Sequence, residues 1–269
     1  MSRKLGTFVK YAFLVVASIL SVFPLVWMII AATNKSVDVI AGKLTFGTNL
    51  LENYRNLIAL QPVWSSFGNS CKYALLVTVV ALVISSMAGY AFEVYKSKWK
   101  ELGYTLVLMT MMVPFVALMI PLFQMYSKAG LLNKAIGFML PSIATPLLIM
   151  MFRTGAKSFP KEIIEAARID GLGEIRIFFQ MFVPVTKSTY AAAAVVTFMN
   201  AWNNYLWAKV IMSTDATQTM PMLISNLISG YVTDYGVLML AVLITTIPTA
   251  IVFFALQKNF VEGITGAVK

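Results

Sequence analysis

Few side chains in this sequence can do covalent chemistry. The 269 residues include no histidine, which removes the usual imidazole base, Ser-His triads and His metal sites. Cys71 is the one cysteine, so neither an internal disulfide nor a thiolate cluster can form. Its place at the start of an apolar run suits a small packing residue. No GxxxxGK[ST] occurs, so the chain has no P-loop with which to hydrolyse ATP. No nucleophile–base pair and no metal-ligand set stands out. All eleven Asp and Glu can be placed in loops or at the ends of apolar runs, which leaves no buried carboxylate to relay an ion. Sodium held by backbone carbonyls stays open as an alternative. What remains is the chemistry of recognition, concentrated in two places. One is the charged, Gly-jointed stretch EIIEAARIDGLGEIRIFFQMFVPV, Glu162 to Val185. The other is the amide and aromatic cluster Asn200, Trp202, Asn203, Asn204 and Tyr205.

The elements that must position these residues are membrane helices. The chain is 59% hydrophobic and 12% charged, with mean hydropathy +0.80. Soluble domains carry about 25% charged residues. Apolar runs near the length needed to cross about 30 Å of hydrocarbon fall at residues 11–32, 73–92, 102–126, 131–152, 189–212 and 236–257. The first is too long for a signal-peptide core and reads as an uncleaved span. The fourth, with Asn133 and Lys134 near one end and Pro141 and Pro146 inside, reads as short or kinked. Asn69 and Ser70 read as N-caps of the second. The fold class is therefore all-α: a polytopic membrane protein of six transmembrane helices, one domain over residues 1–269, in which no linker or internal repeat is visible.

Charge orients it. The net charge is +10, and fourteen of the 21 Lys and Arg fall on one side: the N-terminus, the loops after spans 2 and 4, and the tail. The positive-inside rule makes that side cytoplasmic, which puts both termini and the 162–185 stretch there. It also explains the basic balance without nucleic acid as a partner. The segments 33–72 and 213–235 face the other side.

Within the cytoplasmic stretch, Pro160 and Glu162 open a short helix, and Asp170-Gly171 stops it. On a helical wheel Ile163, Ala166, Ala167 and Asp170 share one side, and Glu162, Glu165 and Ile169 another. Paired alanines admit a close neighbour, and Glu165 offers a charge-assisted hydrogen bond to a basic one. Ile175, Phe178, Phe179 and Phe182 then recur at i, i+3, i+4, i+7, as in an amphipathic helix against the membrane face or the bundle. Periodicity alone fits an ordinary interfacial loop helix as well as a docking element. If the chain moves a solute uphill, its energy must come from a partner, and a partner needs such an element.

The residues EAARIDGLGEIRIFFQMFVP resemble the EAA loop of binding-protein-dependent ABC importer permeases. Glu165, Ala166, Ala167, Asp170, Gly171, Phe178 and Pro184 stand at matching positions; Leu172, Val183 and Ser188 depart mildly. AWNNYLWAKVIM (Ala201–Met212), MVPFVALMIPLF and the tail KNFVEGITGAVK are similar to the carbohydrate-type, MalG-like subfamily, with Ala208 where proline is often seen. The resemblance implies a permease subunit of a sugar or oligosaccharide importer, in the bacterial or archaeal cytoplasmic membrane. It implies a second, MalF-like permease, two ATP-binding subunits that hold ATP and Mg, and an extracytoplasmic solute-binding protein. This chain itself would be no enzyme and would bind no cofactor. Glu165, Ala166, Ala167, Asp170 and Gly171 would form the coupling helix seated in the ATPase. A permease for an amino acid or glycerol-phosphate derivative is the nearest alternative, and a self-contained carrier a more distant one.

Buried Asn in lipid is costly unless it finds a partner or lines a wet cavity. Asn200, Trp202, Asn203, Asn204 and Tyr205 thus admit two readings. They line a solute pathway, where amides and aromatic faces suit a sugar, or they bond neighbouring helices. The methionines of span 3 (Met109, Met111, Met112, Met119) read as adaptable packing. The segment 213–235 reads as a contact for the binding protein or as an ordinary outer loop.

Overall fold

Proline and polar residues, more than length, decide where the helices of this chain break. The computed structural model describes residues 3–230 and 232–266. Tyr231, within the segment read as a binding-protein contact, lies outside them, as do 1–2 and 267–269 at the ends placed in the cytoplasm by charge. All regular structure among the described residues is helical.

Helix α1 (Arg3–Ala32) runs through Pro24. Two short helices, α2 (Ser36–Ile40) and α3 (Leu50–Leu60), lead to α4 (Val63–Val94). With 32 residues α4 is about 48 Å long, more than a hydrocarbon core requires. The expected third span is two helices, α5 (Lys98–Met109, prolonged by a 3-10 turn to Met112) and α6 (Phe115–Lys128), which meet at 100°. The cause is local. The ring of Pro114 drives Val113 out of the helical region, to φ −86°, ψ 116°. The expected fourth span is likewise α7 (Ala135–Met139, with a 3-10 turn over Leu140–Ser142) and α8 (Pro146–Lys157), bent by 53°. Thr145, before Pro146, is extended at ψ 140°. This is the kink that the prolines predict.

The charged stretch holds α9 (Lys161–Ile169), α10 (Glu174–Ile177), a π-helical turn over Phe178–Phe182 and α11 (Val183–Val185). Helix α12 (Lys187–Trp202) leaves it at 81°. The expected fifth span does not continue to residue 212. It stops at Trp202 and resumes as α13 (Leu206–Ile211). Helices α14 (Met220–Ile228) and α15 (Tyr235–Gly266) complete the chain. Among the described residues three helices are long and apolar enough to cross a membrane, and up to six spans follow by length and composition if each bent pair counts as one.

The described residues divide into two compact units. The first holds those up to Val63 together with Leu223–Ile247. Its centre is a knot of amides that satisfies the carbonyls at the end of α1. The Asn53 amide donates to Ala32 O at 2.9 Å and Asn34 O at 3.0 Å, and the Asn34 amide donates to Ile30 O and Thr45 O, each at 2.9 Å. A Cβ on Gly236 would lie 2.5 Å from Asn34 O, so only glycine lets α15 start there.

The second unit holds Trp64–Met222 together with the described residues from Pro248. Its core joins α4, α8 and α12 through Ala81, Leu148, Phe152 and Ala193. Gly89 lets α4 meet α8 closely, since a Cβ there would sit 2.7 Å from both Arg153 N and Phe152 Cβ. Asn69 and Ser70 are not the N-caps of α4, because the helix starts earlier, at Val63. Facing a loop instead, the Asn69 amide donates to Ala216 O at 2.8 Å and Gln218 O at 3.0 Å, and Ser70 Oγ accepts from Met220 N at 2.8 Å.

Candidate coupling hairpin and pathway cleft

Helix α9 ends in a glycine lock. Asp170 closes the helix and Gly171 turns left-handed at φ +78°. Leu172 N then donates to Ala167 O at 2.9 Å and Gly171 N to Arg168 O at 3.1 Å, the paired bonds of a Schellman cap. The Asp-Gly stop signal thus has the conformation that only glycine adopts cheaply.

The cap fixes which faces show. Ile164 and Ala167 are buried, while Glu162, Glu165, Ala166, Ile169 and Asp170 are exposed. The alanines therefore do not act as a pair: Ala166 faces out and Ala167 packs inward. Adjacent helical positions are 100° apart, and the bulkier Ile164 on the inner side sets the phase. Ala167 belongs to a cluster with Tyr90 of α4, Ala156 of α8, Phe159, Ile177, Phe178 and Phe182. Tyr90 lies 5.3 Å from Phe178 and 4.8 Å from Phe182 between ring centres. The expected stripe of Ile175, Phe178, Phe179 and Phe182 is split. Phe178 and Phe182 are buried, whereas Ile175 is 73% and Phe179 50% exposed. The π-helical turn explains the difference, since it shifts the face away from the 3.6-residue period.

The two arms are clipped together. Arg168 grips Glu174 through Nε at 2.7 Å and Nη2 at 3.2 Å, and the Tyr95 hydroxyl donates to the same carboxylate. Burial and Glu174 push the Tyr95 hydroxyl up to about 12, so it remains a donor. Glu165 makes no ion pair among the described residues. It lines a cleft of 190 Å³ with Lys157, Lys161, Arg168 and Glu93.

Beside the hairpin lies an ion cluster. Arg153 of α8, 6% exposed, donates through Nε to Glu93 of α4 at 3.3 Å and through Nη2 to Glu101 of α5 at 2.5 Å. Its guanidinium lies 4.0 Å from the centre of the Tyr104 ring, and Lys96 completes the group 2.6 Å from Glu93. Glu93, placed at a span end from sequence, is 7% exposed.

The amide cluster is dispersed by the break after α12. Trp202 is 1% exposed, with ring centres of Phe67 and Phe198 each 5.8 Å away, so it packs as a core residue. The Asn203 amide donates to Met199 O at 3.0 Å and ends α12, and Asn204 Oδ1 accepts from Trp207 N at 3.2 Å at the start of α13. Asn200 and Asn204 line a cleft of 500 Å³ with Thr197, Ser142, Thr145 and Phe115, inside the size range of small-molecule sites. Asn203 and Tyr205 are not among its lining residues.

Residues 81–266, which carry the hairpin and most of both clefts, match the binding-protein-dependent transport system inner membrane components. The chain belongs to that family. This permease is 47% identical over 269 residues to the lactose transport system permease protein LacG of Rhizobium radiobacter, covering 100% of the chain and 98% of the relative. It is 35% identical to the arabinooligosaccharides transport system permease protein AraQ of Halalkalibacterium halodurans, over 93% of the chain and 92% of the relative. A crystal structure of a bacterial ABC transporter involved in the import of the acidic polysaccharide alginate matches its fold. The TM-score is 0.84 over 97% of this chain and 99% of that one, at 20% identity. The fold is thus that of an ABC importer permease. In this permease, sequence reasoning missed Arg153 as a joint between three helices. A lone Arg at the end of an apolar run with two Pro was the available signal, but its partners lie 52 and 60 residues away.

Proposed function

We propose that the chain is the permease subunit of an ATP-driven, binding-protein-dependent importer of sugars or oligosaccharides, and forms half of the translocation pathway. The observation that carries the coupling half of this reading is α9, a short helix whose inner face is locked to α4 and α8 while Glu165, Ala166, Ile169 and Asp170 stand bare. The names of the full-length relatives support the solute class. In this reading α9 seats in a cytoplasmic ATP-binding subunit, which holds the ATP and Mg that this chain does not. Two such subunits, a second permease and an extracytoplasmic binding protein complete the assembly in the cytoplasmic membrane.

The hairpin suits that task mechanically. A push on α9 is carried by Ile164 and Ala167 into Tyr90 and Ala156, hence into α4 and α8. The Arg168–Glu174 clip stops the arms from opening under load. Rigid-body motion then reaches the helices around the 500 Å³ cleft, since Leu148 lies both in that wall and in the α4–α8–α12 core. Membrane lipid covers the apolar outer faces.

Uptake of labelled lactose into proteoliposomes holding the assembled importer tests the reading. Uptake that needs ATP and the binding protein is expected. Uptake by the purified chain alone, driven by an ion gradient, would replace it with a self-contained carrier.

A further inference from the structure

We infer that the cleft beside the α12–α13 break is a solute subsite owned by this chain, built for uncharged sugar hydroxyls. This rests on the carbohydrate reading above and goes beyond it, because it locates a binding site in this subunit and gives its charge preference. The cleft holds uncommitted hydrogen-bonding groups. The Asn200 amide and the Ser142 and Thr145 hydroxyls line the cleft and have no side-chain hydrogen bond among the described residues. Asn204 spends its oxygen on Trp207 N, which leaves its NH₂ group for another acceptor. The Thr197 hydroxyl donates to Ala193 O at 2.7 Å, and its oxygen lone pairs remain.

Such groups within apolar helices are costly unless water or a ligand meets them. Their types match a sugar. Each amide or hydroxyl pairs with a sugar OH, and the Phe115 ring, part of the same wall, suits the apolar face of a pyranose. The charge preference follows from what is missing. No Lys, Arg, Asp or Glu lines the cleft. A carboxylate or phosphate entering it would lose water and gain no cation, whereas a neutral glycan loses only hydrogen bonds that the cleft replaces.

The test uses the full importer, with its partner permease, ATP-binding subunits and binding protein. Asn200→Leu and Thr145→Val are expected to cut lactose uptake about tenfold each, near the value of one hydrogen bond. ATP hydrolysis stimulated by the binding protein should be retained, and Thr145→Ser should keep uptake. Unchanged uptake in both variants would overturn the inference. So would a complex that dissociates in both, which would assign these groups to the contact between permeases. A second measurement reads the cleft without delivery by the binding protein. In a Cys71→Ala background, Asn200→Cys is labelled with a maleimide in the solubilised complex. Lactose should slow labelling and digalacturonate should not; equal protection by both would overturn the charge preference. A wild-type importer that moves no neutral oligosaccharide would instead sink the carbohydrate reading itself, before any variant is compared.

Discussion

Replacing Arg153 with Met removes the centre of the ion cluster and leaves two carboxylates behind. They are not equivalent. Glu101 has 47% of its side chain exposed and can return to water. Glu93, with 8% exposed, cannot. Breaking a buried pair by deleting one partner costs about 3–5 kcal/mol. Lys96 remains 2.6 Å from Glu93, which puts the expected loss at the lower end. For a chain of this size that is a fall in Tm of roughly 6–12 °C. Thermal unfolding of the detergent-solubilised chain, followed by tryptophan fluorescence, gives the readout. The double variant Glu93→Gln/Arg153→Met should recover more than half of the loss, because it leaves no unpaired buried charge. Glu101→Gln should cost far less than Arg153→Met. If Arg153→Met melts with the wild type, or the double variant melts no higher than the single, the cluster is not a buried joint between α4, α5 and α8.

Other perturbations test separate parts. Gly171→Ala meets no side chain, so its cost is the left-handed φ alone, about 1 kcal/mol, and a frayed α9 should show as faster protease cleavage near residue 171 and weaker coupling. Glu165→Ala should insert and fold normally yet lower solute-stimulated ATP hydrolysis by the assembled importer; wild-type stimulation would remove Glu165 from the docking face. Gly89→Val would force a Cβ into the backbone of α8 and should destabilise by about 1–3 kcal/mol or abolish expression, read by yield and Tm. Asn69→Ala deletes both bonds to the 216–218 loop and should raise its hydrogen exchange without altering that of α9.

Features that depend on local backbone rules were legible in the sequence. Pro146 foretold the bend before α8, and Asp170-Gly171 the end of α9, because a missing N–H and a positive φ act within one or two residues. The bend at Val113–Pro114 had the same signal, hidden inside a run apolar enough to look like one helix. Features that depend on phase or on distant partners were not legible. A wheel shows that Ala166 and Ala167 neighbour each other but not which one the hairpin swallows. Trp202 sits in a polar run, yet Phe67 and Phe198 claim it for the core. Glu93 and Arg153 looked like two span-end charges, and only tertiary contact makes them one buried group.

The proposed importer depends on α9 docking in an ATP-binding subunit. The most direct measurement is gentle purification of the tagged chain from its own host membrane, with mass spectrometry of whatever accompanies it in stoichiometric amount. A second permease and a P-loop ATPase are expected, both lost from the Gly171→Val variant or bound more weakly by it. A chain that purifies alone and still moves solute would show that the hairpin is an interfacial loop with no ATPase docked on it.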